Sequence, residues 1–124
     1  MSQRPLNPPS LSRYSKGQYY EQQARSFLEQ QGLLFVSANY RCRQGEIDLI
    51  MREHQTLVFV EVRYRASRDY GGALSSVTPA KQQKIRHTAR YFLLNKQINE
   101  AHQACRFDIV SYDDGQRSWL KNAF

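Results

Sequence analysis

The sequence is poor in cysteine: 124 residues include only Cys42 and Cys105, with no C-x-x-C. That excludes a disulfide scaffold and leaves two reduced thiols. Three histidines, His54, His87 and His102, have no ligand-like spacing with these cysteines, which argues against a zinc site. No apolar run approaches the ~18 residues of a membrane span. The opening "MSQRPLNPPSLSRYSKG" has no apolar core of a secretory signal. The expected location is therefore the cytoplasm, with no membrane partner. Internal repeats and low-complexity tracts are also lacking. Acidic residues are in short supply, 11 against 18 Lys and Arg, for a net charge of +7. The excess is uneven. Residues 1–62 hold 7 basic and 6 acidic side chains, and residues 63–124 hold 11 and 5. Such asymmetry points to a polyanionic partner, nucleic acid before an acidic membrane surface.

What is present suits one globular domain of this length, with one real core. Residues 1–14, with three prolines and two arginines, read as a flexible basic arm. Residues 15–124 make the domain. "SKGQYYEQQARSFLEQQ" (15–31) carries Tyr20, Ala24, Phe27 and Leu28 at helical spacing, with Ser15 as the expected N-cap and Gly32 as the stop. Glu21 borders that stripe. "LLFVSANYR" (33–41), "EIDLIM" (46–51) and "TLVFVEVRYR" (56–65) read as three strands joined by short turns, hence antiparallel neighbours. The third is apolar on both faces, as a central strand covered on two sides would be. After a Gly/Ser-containing loop (65–77), Thr78 and Pro79 open a helix running to about Asn95, with Ile85, Ala89, Phe92 and Leu93 inward. "CRFDIVSY" (105–112) is a fourth strand, "DDG" (113–115) a turn, and "QRSWLKNAF" a short fifth strand and tail.

Acids inside apolar strands need a reason, because burying a carboxylate is costly unless it is paired or binds a metal. Strand alternation puts Glu46, Asp48 and Ile50 on one face, and Leu57, Phe59, Glu61, Arg63 and Arg65 on another. Pairing as a hairpin would bring Asp48 and Glu61 together beside Arg63. Two such carboxylates can hold Mg²⁺ through oxygen ligands, with Glu21 as a third acid. Equally, Arg41, Arg43, Arg63 and Arg65 can neutralise these acids with no function at all. Lys81, Lys84, Arg86 and Arg90 make the second helix basic, and Arg65 and Arg68 stand in the long loop with Tyr64 and Tyr70. As phosphate contacts these cations would position nucleic acid without reading bases, and a tyrosine there could stack on a base. Asp108 reads as structural and Trp119 as a packing anchor.

At these residues a resemblance emerges. "YEQQARSFLEQQGL", "GEIDLI", "LVFVEVR", "SVTPAKQQKI" and "CRFDIV" together resemble the YraN family of bacterial proteins, over roughly residues 15–112. Its fold resembles the PD-(D/E)XK nuclease superfamily, archaeal Holliday-junction resolvases in particular. The resemblance implies an α/β, restriction-endonuclease-like αβββαβ core, a mixed sheet flanked by helices. It assigns Glu21 to the helix acid, Asp48 to the motif aspartate and Glu61 to the motif's D/E. Mg²⁺ or Mn²⁺ would sit on Asp48, Glu61 and the carbonyl of Val62, and the resolvases imply a homodimer. Arg63 departs from the pattern, standing where the superfamily has lysine. An arginine stays protonated and cannot be a general base, though it can stabilise developing negative charge. Lys81 is the candidate for the missing ammonium.

The expected function is thus Mg²⁺-dependent cleavage of DNA, branched or damaged. The alternatives are a nucleic-acid-binding module that keeps the fold without cleavage, which the Lys-to-Arg departure favours, and a scaffold for a protein partner.

Overall fold

The computed structural model describes residues 12–66 and 72–124. The chain order is helix α1 (Arg13–Gln30), strands β1 (Leu34–Cys42), β2 (Gly45–Glu53) and β3 (Thr56–Arg65), helix α2 (Pro79–Asn95), and strands β4 (Cys105–Asp113) and β5 (Gln116–Leu120). Short 3₁₀ turns at Leu74–Ser76 and Glu100–His102 flank α2. The sheet order is β1-β2-β3-β4-β5. All neighbours are antiparallel except β3 and β4, which run parallel from Leu57–Cys105 to Arg65–Asp113. A parallel pair needs a crossover, and α2 supplies it. This is the α/β, mixed-sheet, αβββαβ arrangement expected from the sequence.

Each face of the sheet has its own core. Ala24 and Leu28 of α1 pack on Leu49, Met51, Val58, Val60, Val62 and Val110. Ile85, Ala89, Phe92 and Leu93 of α2 pack on Ile47, Ile50, Leu57, Phe59 and Ile109. β3 contributes even-numbered residues to one core and odd-numbered residues to the other, so it is buried on both sides, as its composition requires.

Local chemistry sets the element ends. α1 starts earlier than expected: Ser12 is the N-cap, its hydroxyl accepting from the Ser15 amide at 3.1 Å. Ser15 is therefore inside the helix. The reason is that Ser12 also adopts the extended N-cap conformation, and its cap lets nearly one more turn form. Residues 12–14 thus belong to the helical region, and residues 1–11 lie outside the described residues. Gly32, at φ +96°, ends α1. There the Leu33 amide donates to the Leu28 carbonyl at 3.0 Å, the pattern of a left-handed C-cap. Thr78 caps α2, with Pro79 in the first turn. The β4–β5 turn places Asp114 and Gly115 at φ 51° and 81°, the two positive-φ positions of a tight hairpin.

Candidate functional site

Strand β2 breaks its alternation at Asp48. Ile47 and Ile50 both pack toward α2, whereas Leu49 and Met51 pack toward α1. Two residues three apart cannot share a face of a regular strand, so the chain must turn between them. This corrects the expectation that Glu46 and Asp48 share the face of Ile50. At the same point the β2–β3 ladder stops: its pairs run from Glu53–Thr56 to Leu49–Val60.

Two carboxylates fill the opening. The Val62 amide donates to Asp48 Oδ2 at 2.8 Å, and the Asp48 amide donates to Glu61 Oε2 at 3.4 Å. Each acid therefore accepts from the backbone of the other's strand. The N–H and C=O of an extended residue point to the same side, so the Val62 carbonyl is also directed toward this opening. Arg63 Nη2 donates to Glu61 Oε1 at 3.0 Å, while Arg63 Nε is buried without a partner.

The electrostatics are those of acids short of positive charge. Burial pushes the Asp48 carboxyl up to about 7; the Val62 amide opposes this, and the nearby charge of Glu21 adds to it. Burial also raises Glu61 well above the ordinary carboxylate range, reinforced by Asp48 and opposed by Arg63. Glu61 is 3% exposed.

Asp48 also lines a cleft of about 390 Å³ with Gly17, Gln18, Glu21, Asn39, Arg41 and Glu46. Packing one residue before Glu21 fixes α1 there: the Tyr20 ring stacks on Tyr64 at 4.6 Å and lies 5.0 Å from Tyr112. Across the cleft, Asn39 Nδ2 donates to Glu21 Oε1 at 2.9 Å and to Glu46 Oε2 at 3.1 Å. Arg41 Nε lies 3.3 Å from Glu46 Oε1.

The fit to a divalent cation is one of donor chemistry. The opening offers carboxylate oxygens and a carbonyl, hard ligands of the kind Mg²⁺ and Mn²⁺ take, and among the described residues Arg63 is the one cation acting on both Asp48 and Glu61. Among the described residues, no three His, Cys, Asp or Glu side chains converge as a ready-made metal cage.

The structure thus groups Glu21, Asp48, Glu61, Val62 and Arg63. Lys81 lies elsewhere in character: the whole first turn of α2, Thr78 to Lys81, is exposed. The charges acting on Asp48 and Glu61 are Glu21, Glu46 and Arg63. Lys84 is exposed beside the β1–β2 turn, its Cβ 3.5 Å from where a Gly45 side chain would begin. Arg65 is exposed at the end of β3. Arg86 instead covers the Phe124 ring at 5.3 Å, and Arg90 pairs with Glu100 at 3.4 Å. Tyr64 is engaged with Tyr20, and Arg68 and Tyr70 lie outside the described residues. Glu46 and Asn39 are the members that sequence reasoning left out of the site. Asn39 carried a signal, since asparagine is depleted in strands and here interrupts one.

Fold and cleft together define an α/β domain with an acidic opening where two central strands part. Its sequence places it in a known group. Residues 20–112 match the model of the uncharacterised protein family UPF0102, and the chain belongs to that family. It is 56% identical over 110 residues to a UPF0102 protein of Aeromonas hydrophila subsp. hydrophila, covering 89% of this chain and 85% of that one. It is 50% identical over 118 residues to the UPF0102 protein YraN of Escherichia fergusonii, covering 95% and 90%. A UPF0102 protein of Herminiimonas arsenicoxydans is 46% identical over 118 residues, covering 95% and 93%.

Proposed function

We propose that the protein is a Mg²⁺-dependent DNA endonuclease of the PD-(D/E)XK type, acting on branched or damaged DNA. The observation that carries this reading is the Asp48–Glu61 pair at the end of the β2–β3 ladder, Glu61 buried and Asp48 half-buried at the cleft, each accepting from the other strand's backbone with one cation beside them. Buried like charges are costly unless a cation or a proton relieves them. Asp48, Glu61 and the Val62 carbonyl would hold the ion. A bound Mg²⁺ supplies a Lewis acid for the phosphate and lowers the pKa of water. Glu21 would accept a hydrogen bond from the attacking water and orient it in line with the leaving oxygen. Arg63 would donate to the phosphate and stabilise the charge that develops on it. Because its guanidinium holds its protons, the proton leaving the water must pass to a carboxylate or to solvent. The exposed Lys84, Arg65 and Lys81 would hold flanking phosphates, and a homodimer would bring two clefts to a branched duplex.

A specific observation favours a second reading, a nucleic-acid-binding module without cleavage. Arg63 already pairs with Glu61 at 3.0 Å, so a fixed cation meets part of the need a metal would fill.

Arg63 variants separate the two. In an enzyme, Arg63→Ala lowers the cleavage rate by roughly 10²–10³-fold, the scale for losing one transition-state donor. Arg63→Lys retains much of it. In a binding module, wild type cleaves DNA in neither Mg²⁺ nor Mn²⁺, and both variants bind duplex DNA nearly as well as wild type.

A further inference from the structure

We infer that Asn39 is a positioning residue: its side-chain amide holds Glu21 of α1 and Glu46 of β2 in one cleft with Asp48. The inference rests on the nuclease reading for its purpose, and on β1 for its grounds.

The backbone is the first ground. Asn39 lies inside β1 at φ 51°, a left-handed conformation that residues with a Cβ rarely adopt. Asparagine tolerates it better than most. A strand gains nothing from such a residue, so the conformation needs a local reason. The register supplies one. β1 slips against β2 between Phe35 and Ser37, after which Ala38 faces Leu49 and Tyr40 faces Ile47. Asn39 is thereby opposite Asp48, where β2 makes its own turn.

The side chain is the second ground. A primary amide has two N–H groups on one nitrogen, and Asn39 spends them on two different acids, at 2.9 Å to Glu21 and 3.1 Å to Glu46. Those acids come from different elements, one on the helix and one on the neighbouring strand. The amide is a neutral donor set among carboxylates. An aspartate of the same shape would add a negative charge and remove both donors. With the bridge in place, the acids are assembled before a cation arrives, which reduces the ordering that binding must supply.

The test keeps backbone and amide separate. Asn39→Gly retains easy access to positive φ and loses the amide; Asn39→Asp retains the shape and loses the donors. In wild type, the two side-chain amide protons of Asn39 should give distinct downfield resonances. Glu21→Ala should shift one and Glu46→Ala the other. Both Asn39 variants should fold, and Asn39→Gly should weaken Mn²⁺ binding about 5–10-fold by calorimetry. Where wild type cleaves DNA, Asn39→Gly should lower kcat by a similar factor and leave KM within twofold. Amide protons unmoved by either glutamate truncation would overturn the bridge. Equal Mn²⁺ binding by wild type and Asn39→Gly would remove its part in the site while the nuclease reading stands. Absence of Mn²⁺ binding in wild type would sink the nuclease reading, and the amide resonances would still decide whether Asn39 positions the two acids.

Discussion

At Asp48 and Glu61 the protein carries an electrostatic cost that pH should expose. Both carboxyls are raised in the fold, Asp48 to about 7, with burial as the leading cause. Their unfolded values lie near ~4. The stabilising protonated forms are thus fully present below about 4, and that stability is lost as pH rises through about 7. Asp48→Asn removes the half-buried charge and retains an oxygen to accept from the Val62 amide. Without metal, it should be more stable than wild type at pH 8, by about 1–3 kcal/mol. The difference should shrink toward pH 5. Thermal unfolding at the two pH values checks this, and an equal loss of stability at both would contradict it. In Mn²⁺ the order should reverse at pH 8, because an ion bound only by the folded wild type stabilises it by mass action.

Between elements, the acids divide into those that position and those that would react. Asp108 is fully buried in β4. It accepts from Arg106 Nε at 3.0 Å, from Trp119 Nε1 at 3.0 Å and from the Asn122 amide at 2.9 Å. Arg106 also pairs with Glu53 of β2. This network ties β2, β4, β5 and the C-terminal turn together, away from the cleft. Asp108→Ala removes the acceptor of four N–H groups, from Arg106, Trp119 and Asn122, and should cost about 3–5 kcal/mol, while Mn²⁺ affinity of the folded fraction stays at the wild-type value. Chemical denaturation with calorimetry measures both, and loss of metal affinity without loss of stability would refute the division. A structural role for Asp108 and a packing role for Trp119 were legible from the sequence, as were all five strands. Hydrophobic period and turn residues such as Gly32, Pro79 and Asp114–Gly115 determine those elements locally. The site was legible only in part. Glu21, Asp48, Glu61 and Arg63 follow from alternation and from the family pattern. Asn39 and Glu46 depend on two departures from alternation, the slip after Phe35 and the turn at Asp48, which arise from tertiary pairing and leave no periodic trace. Lys81 lies one turn before Ile85 by spacing, and the first turn of α2, Thr78 to Lys81, is exposed.

Over the whole molecule, the +7 charge is partly spent internally. Arg106 pairs with Asp108 and Glu53, Arg90 with Glu100, and Arg86 with aromatic rings. Duplex binding through the remaining cations should be strongly salt-dependent, with a slope of log K against log salt of about −4 to −5 for ~4–6 phosphate contacts. Lys84→Ala should reduce the slope by about one unit and Arg86→Ala by less. Fluorescence anisotropy across a salt series gives the comparison, and a flat response would remove nucleic acid as the partner. No helix among the described residues is long and apolar enough to cross a membrane. The most direct measurement is cleavage of linear, single-stranded, flap and four-way DNA by wild type and by Glu61→Gln, each with Mg²⁺, Mn²⁺ or EDTA. The expected result is metal-dependent cleavage by wild type, abolished by EDTA and by Glu61→Gln. Cleavage that survives Glu61→Gln, or none by wild type on any substrate in either metal, would contradict the nuclease reading.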